Sequence, residues 1–127
     1  MKLTVDSETF TVTTPLIVVS NIQLYGGITA IGANACLNDG LLDICVFKGN
    51  GFFTFASQAL RVLSRQHIGD PRVEYFQCQQ LGVESDKPLP VQIDGESLDR
   101  TPVNVRVVPG ALQVIVPGVL PDTLFRQ

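Results

Sequence analysis

Asn38-Asp39-Gly40-Leu41-Leu42-Asp43-Ile44-Cys45-Val46-Phe47 joins a turn signal to an apolar run. Asn-Asp-Gly signals a turn, because Asn and Asp bond their own backbone and Gly accepts a positive φ. The apolar run over 41–47 then resumes as a strand. Working upstream, Leu3-Thr4-Val5 and Phe10-Thr11-Val12 alternate around the polar Asp6-Ser7-Glu8, the pattern of an opening hairpin. Leu16-Ile17-Val18-Val19 follows Pro15 as a continuous apolar run, which predicts a strand covered on both faces. Downstream, 72–79 alternates, Val91-Gln92-Ile93 leads into Asp94-Gly95, and 103–108 turns at Pro109-Gly110 into a strand over 112–116. Pro-Gly fits a type II turn, since Pro presets the first dihedral and Gly accepts the positive one. One segment departs from this pattern. Phe52, Phe55, Ala56, Ala59, Leu60 and Leu63 share one face of a helix over 52–64, which must stop before Gly69-Asp70-Pro71. The expected fold is therefore mainly β, an antiparallel β-sandwich with one amphipathic α-helix.

A chain of 127 residues has the length of one compact domain. With 45% hydrophobic and 17% charged residues it is not a disordered or highly charged tail. No apolar run approaches the ~18 residues of a membrane-spanning helix, and no secretory signal pattern opens the chain. Nine Lys and Arg against twelve Asp and Glu give a net charge of −3, which argues against a nucleic-acid surface. The positive mean hydropathy of +0.26 fits either a Val-rich core or an apolar face meant for a companion domain or a lipid. Cys36, Cys45 and Cys78 form no C-x-x-C pair, so free thiols in a reducing cytoplasm are expected rather than a disulfide framework or structural zinc.

Few residues carry recognisable chemistry. His67 has no Ser or Cys nucleophile paired with it in the sequence, and it reads as a residue near a helix end. Arg61, Arg65, His67 and Arg72 read first as a solvated helix face, with anionic lipid headgroups as the other option. No phosphate-cradling loop or dinucleotide fingerprint is present, and Gly26-Gly27 reads as a turn or bulge. Two acidic groupings remain. Asp94 and Glu96 lie one residue apart, so on an extended segment both carboxylates would project to one side and could do proton-transfer work. Asp-Gly is also a common hairpin dipeptide, and spacing alone favours that turn. Asp39 and Asp43 flank Gly40-Leu41-Leu42; Asp39 could join backbone carbonyls around a hard cation, or form an Asx turn with its own backbone.

At these same positions the sequence resembles a known family. Tyr25-Gly26-Gly27, Gly32-Ala33-Asn34-Ala35 and Asp39-Gly40-Leu41-Leu42-Asp43-Ile44 are similar to the C-terminal domain of the bacterial diacylglycerol kinase-like lipid kinases, in the diacylglycerol/sphingosine kinase family. Val91-Gln92-Ile93-Asp94-Gly95-Glu96 and the segment from Val105 to Val114 match the family's closing motifs, in order. The resemblance departs at Ala33, where the family often has Pro, and at Ile28, where it often has a third Gly.

The resemblance implies the acceptor-side half of an ATP-dependent lipid kinase that phosphorylates a lipid hydroxyl such as that of diacylglycerol. The partner it implies is an N-terminal ATP-binding domain with a Gly-Gly-Asp-Gly-Thr segment, which has no counterpart here, so the chain alone is expected to be inactive. It further implies Asp94 as general base, Glu96 as its acidic neighbour, and a structural Mg2+ held by Asp39 with the carbonyls of Cys36 and Leu41. The expected location is cytoplasmic, with peripheral membrane contact when acting on lipid; a homo-oligomer is left open. The other reading is a non-catalytic lipid-binding or regulatory β-sandwich module, which a natural start codon at Met1 would favour. A nicotinamide-nucleotide kinase relative would share the two-domain plan but fits the Asp94-Gly95-Glu96 ending poorly.

Overall fold

The computed structural model describes residues 1–25, 29–30, 34–49 and 70–115. Its strands are β1 (Lys2–Val5), β2 (Glu8–Thr11), β3 (Leu16–Ser20), β4 (Leu24–Tyr25), β5 (Thr29–Ala30), β6 (Leu42–Phe47), β7 (Val73–Cys78), β8 (Gln80–Glu84), β9 (Pro90–Ile93), β10 (Glu96–Arg100) and β11 (Val103–Arg106). All the pairings are antiparallel. One sheet runs β11-β8-β1-β2 and a second runs β3-β6-β7, while β4 pairs with β5 and β9 with β10.

Period-two alternation explains how the two larger sheets meet. Leu3 on β1 and Leu81 and Val83 on β8 turn one apolar face inward. Leu42, Ile44 and Val46 on β6, with Cys78 on β7, supply the facing layer, and all join one buried cluster. The rings of Phe10 on β2 and Phe76 on β7 bridge the sheets with centroids 5.1 Å apart, tilted by 37°. Two antiparallel sheets packed over a shared core make a β-sandwich.

Asp6 fastens the sandwich at one corner. It sits in the β1–β2 turn at φ 52°, and its Oδ1 accepts the backbone N–H groups of Gln79 and Gln80, each at 2.9 Å. The expected opening hairpin is therefore present, and its turn carboxylate is committed to structure.

Two strand expectations are corrected. Leu16–Ser20 is not covered on both faces: among the described residues it is an edge strand, with Leu16 exposed and the rest half-buried. The strand buried on both faces is β6, because it is central in its sheet. Its second face packs Cys45 and Phe47 against Val18, Val73 and Tyr75. Residues 111–115 form no strand. The Pro109-Gly110 turn itself is there, with Gly110 at φ 68° and the Ala111 N–H on the Val108 carbonyl at 3.3 Å. Unprimed turns of this kind splay the flanking segments instead of closing a ladder. The helix expected over 52–64 lies outside the described residues, as do Arg61, Arg65 and His67.

Cys36, Cys45 and Cys78 are free thiols. Burial, then the Asp43 charge, pushes Cys45 up to about 11; burial, then Asp6, pushes Cys78 up to about 11 as well. Thiolate is scarce at both at neutral pH, which suits inert core cysteines. Arg72 forks onto Asp70 through Nε at 3.1 Å and Nη2 at 3.0 Å, so its guanidinium belongs to an ion pair. Among the described residues no helix is long and apolar enough to cross a membrane.

Candidate functional site at the Asp94 hairpin

The turn reading of Asp94-Gly95 and the carboxylate reading of Asp94 and Glu96 converge on one hairpin. Ile93 on β9 lies opposite Glu96 on β10, so Asp94 and Gly95 are the whole connection. Both have positive φ, 51° and 93°, as a type I′ turn demands. Gly takes that conformation freely, and Asp is among the few other residues that tolerate it. The two carboxylates are therefore not on one extended strand, as the spacing argument assumed. Asp94 stands on the turn and Glu96 opens the returning strand.

Their carboxylates are uncommitted. Both residues are exposed, and neither side chain makes a hydrogen bond or ion pair among the described residues. The contrast with Asp6 is direct. The two are the non-glycine residues at positive φ among those described, yet only Asp6 spends its carboxylate on backbone N–H groups.

A bulge shapes what surrounds them. Ser97 pairs with Gln92 and Asp99 with Val91, leaving Leu98 as the extra residue of β10. Ile93, Asp94, Glu96, Ser97 and Leu98 line an open groove of about 370 Å³. The apolar Ile93 and Leu98 were not legible as site residues. The available signal was a leucine in the otherwise polar run Glu96-Ser97-Leu98-Asp99-Arg100.

A lone two-stranded hairpin is marginal in water, so its base must be held. Leu89 and Thr101 do this through reciprocal bonds: Thr101 N–H to the Leu89 carbonyl at 2.9 Å, and Leu89 N–H to Thr101 Oγ1 at 2.9 Å. The Ser85 and Thr101 hydroxyls also bond to each other, and Arg100 Nη1 donates to the Pro88 carbonyl at 3.2 Å.

Asp39 occupies its expected turn. Its Oδ1 accepts the Leu41 N–H at 3.0 Å, an Asx turn, and Gly40 follows at φ 72°. Cys36 is half-buried, with its thiol on the Asn34 carbonyl at 3.7 Å. Only the backbone oxygen of Cys36 therefore suits a hard cation. Asp43 belongs elsewhere: it is buried in β6, where Gln77 Nε2 donates to its Oδ1 at 3.0 Å. Among the described residues no three His, Cys, Asp or Glu side chains converge as a metal site.

Comparison with known proteins agrees with this architecture. The family model described as the YegS C-terminal NAD kinase beta sandwich-like domain matches residues 1–116. A Shewanella frigidimarina protein named "Probable lipid kinase YegS-like" is 27% identical over 116 residues, covering 91% of this chain and 37% of the relative. The diacylglycerol kinase of Bacillus subtilis is 24% identical over 96 residues, 76% of this chain and 32% of the relative. The crystal structure of a diacylglycerol kinase from Bacillus anthracis str. Sterne superposes with a TM-score of 0.69 at 27% identity, covering 86% of this chain and 38% of that one. The chain thus spans roughly a third of the length of each of these relatives. With two facing antiparallel sheets and a match over nearly its whole length, the chain belongs to the YegS C-terminal NAD kinase beta sandwich-like family, the C-terminal domain of lipid kinase-like proteins.

Proposed function

We propose that this chain is the acceptor-side domain of an ATP-dependent lipid kinase, with Asp94 as general base and Glu96 as its acidic neighbour. The observation that carries this reading is the unspent carboxylate of Asp94, held on a type I′ turn in a groove that also contains Glu96. A turn needs only an Asn or Gly there, so the charge is surplus to folding. The relatives named as lipid and diacylglycerol kinases supply the substrate class, a lipid hydroxyl such as that of diacylglycerol.

In the reaction, Asp94 accepts the proton of the lipid hydroxyl while that oxygen attacks the γ-phosphorus of ATP. The bond from the γ-phosphorus to the bridging oxygen breaks, and ADP leaves. Phosphoryl transfer depends on positioning and charge stabilisation, so division between two domains is workable: one holds ATP, the other presents base and acceptor. The working site would be the cytoplasmic membrane surface, where such a lipid resides.

The separate Asp39 turn fits a hard cation such as Mg2+ in its chemistry, since the carboxylate of Asp39 and the carbonyls of Cys36 and Leu41 are oxygen donors. Three oxygens would leave half of an octahedral shell to water, so binding by this chain would be weak and the ion would serve to brace the turn. Asp39→Ala is expected to lower the thermal midpoint more in magnesium than in EDTA. An equal loss in both buffers assigns Asp39 to the Asx turn alone.

The domain division is tested by phosphorylation of diacylglycerol from radiolabelled ATP. The chain alone is expected to give no turnover, because it lacks a phosphate-cradling loop. The same chain joined to an ATP-binding domain is expected to give turnover. Activity of the pure chain alone overturns the proposal that ATP is held elsewhere.

A further inference from the structure

Ile93 and Leu98 have no part in proton transfer, yet they line the same groove as Asp94 and Glu96 and are 56% and 59% exposed. Single exposed apolar residues need no explanation, but these two meet in one concavity. Leu98 is the residue that the bulge leaves without a partner in the β9–β10 ladder, so it serves no cross-strand pair. Its neighbours Glu96, Ser97, Asp99 and Arg100 are all polar.

The groove therefore presents two chemistries side by side: carboxylates that can accept hydrogen bonds, and hydrocarbon open to water. An apolar protein surface pressed onto it would bury both carboxylates without donors, which is costly. An amphiphilic alcohol satisfies both halves, with its hydroxyl on a carboxylate and its chain over the apolar pair. We infer that Ile93 and Leu98 are specificity-determining residues that take the hydrocarbon of the acceptor alcohol next to its hydroxyl. This inference rests on the reading of the Asp94 groove as the acceptor site.

The test is binding of dibutyryl-, dihexanoyl- and dioctanoylglycerol to this chain, each below its aggregation concentration. A methylene fully removed from water is worth about fourfold in affinity, so burial of even two gives about tenfold or more across the series. That gain is expected for the wild-type chain and for Leu98→Met. Leu98→Asn and Ile93→Thr are expected to flatten the series to within about twofold; both positions are exposed, so unfolding midpoints should stay near wild type. Failure of the wild-type chain to bind dioctanoylglycerol overturns the inference. So does a chain-length dependence that survives in Leu98→Asn, which puts the hydrocarbon elsewhere. A change in sedimentation of the Leu98 and Ile93 variants, with the series unaltered, overturns it in favour of contact with a second copy. The fate of the base assignment is read separately. Asp94→Asn should keep the chain-length dependence, and its effect on turnover in the joined enzyme decides the role of Asp94 whatever the binding series shows.

Discussion

Asp94→Asn, in a polypeptide that joins this chain to an ATP-binding domain, is expected to lower kcat by about 10²–10⁴, the usual worth of a positioned general base. A lipid alcohol is a poor nucleophile at neutral pH, and Asn cannot take its proton. The substitution is otherwise mild. Asp94 and Gly95 both occupy positive φ, and Asn-Gly favours that turn as strongly as Asp-Gly. Because Asp94 has no hydrogen-bond or ion-pair partner among the described residues, no structural contact is lost with its charge. The KM for ATP should change little, since ATP binds to the other domain in this reading. A folded variant with near-wild-type kcat overturns the assignment and directs the same test to Glu96→Gln, the other carboxylate of the groove.

Ile44→Ala is expected to destabilise the chain by about 2–5 kcal/mol, read as a lower urea midpoint at unchanged slope. Ile44 is fully buried on β6 and packs into the cluster that joins the two sheets. Truncation leaves a cavity there that a central strand, held by β3 on one edge and β7 on the other, cannot relax to fill. Domains of this size are stable by only about 5–15 kcal/mol, so the loss approaches unfolding. Ile44→Val should cost about 0.5–1.5 kcal/mol and keeps the site measurable if the alanine variant fails to fold. Leu112→Ala, at a side chain 79% exposed, should stay within about 0.5 kcal/mol of wild type. Equal effects at positions 44 and 112 would contradict the sandwich core described here.

Local pattern alone fixed the class of most elements. Alternation marked β1, β2, β7 and β9, and the run after Asn38-Asp39-Gly40 marked β6. Turn chemistry placed the Asp39 Asx turn, the Asp94-Gly95 connection and the Pro109-Gly110 turn, because each depends on backbone dihedrals within a few residues. The strand β8 is not legible locally: Leu81 and Val83 alternate, but the run is short and Gly82 between them lowers strand propensity. Tertiary structure decided the rest. It paired β8 with β1 across the chain, left Leu16–Ser20 partly exposed and buried β6 on both faces, all outcomes of long-range pairing that no local window contains. It also separated two aspartates that look alike in sequence. Asp6 and Asp94 both occupy turns at positive φ, but the first lies beside the backbone N–H groups of Gln79 and Gln80 and is consumed by them. The second ends a hairpin where no such donor reaches its carboxylate among the described residues. Residue type and turn propensity are local properties, whereas the availability of a carboxylate depends on what the distant chain brings within about 3 Å of it.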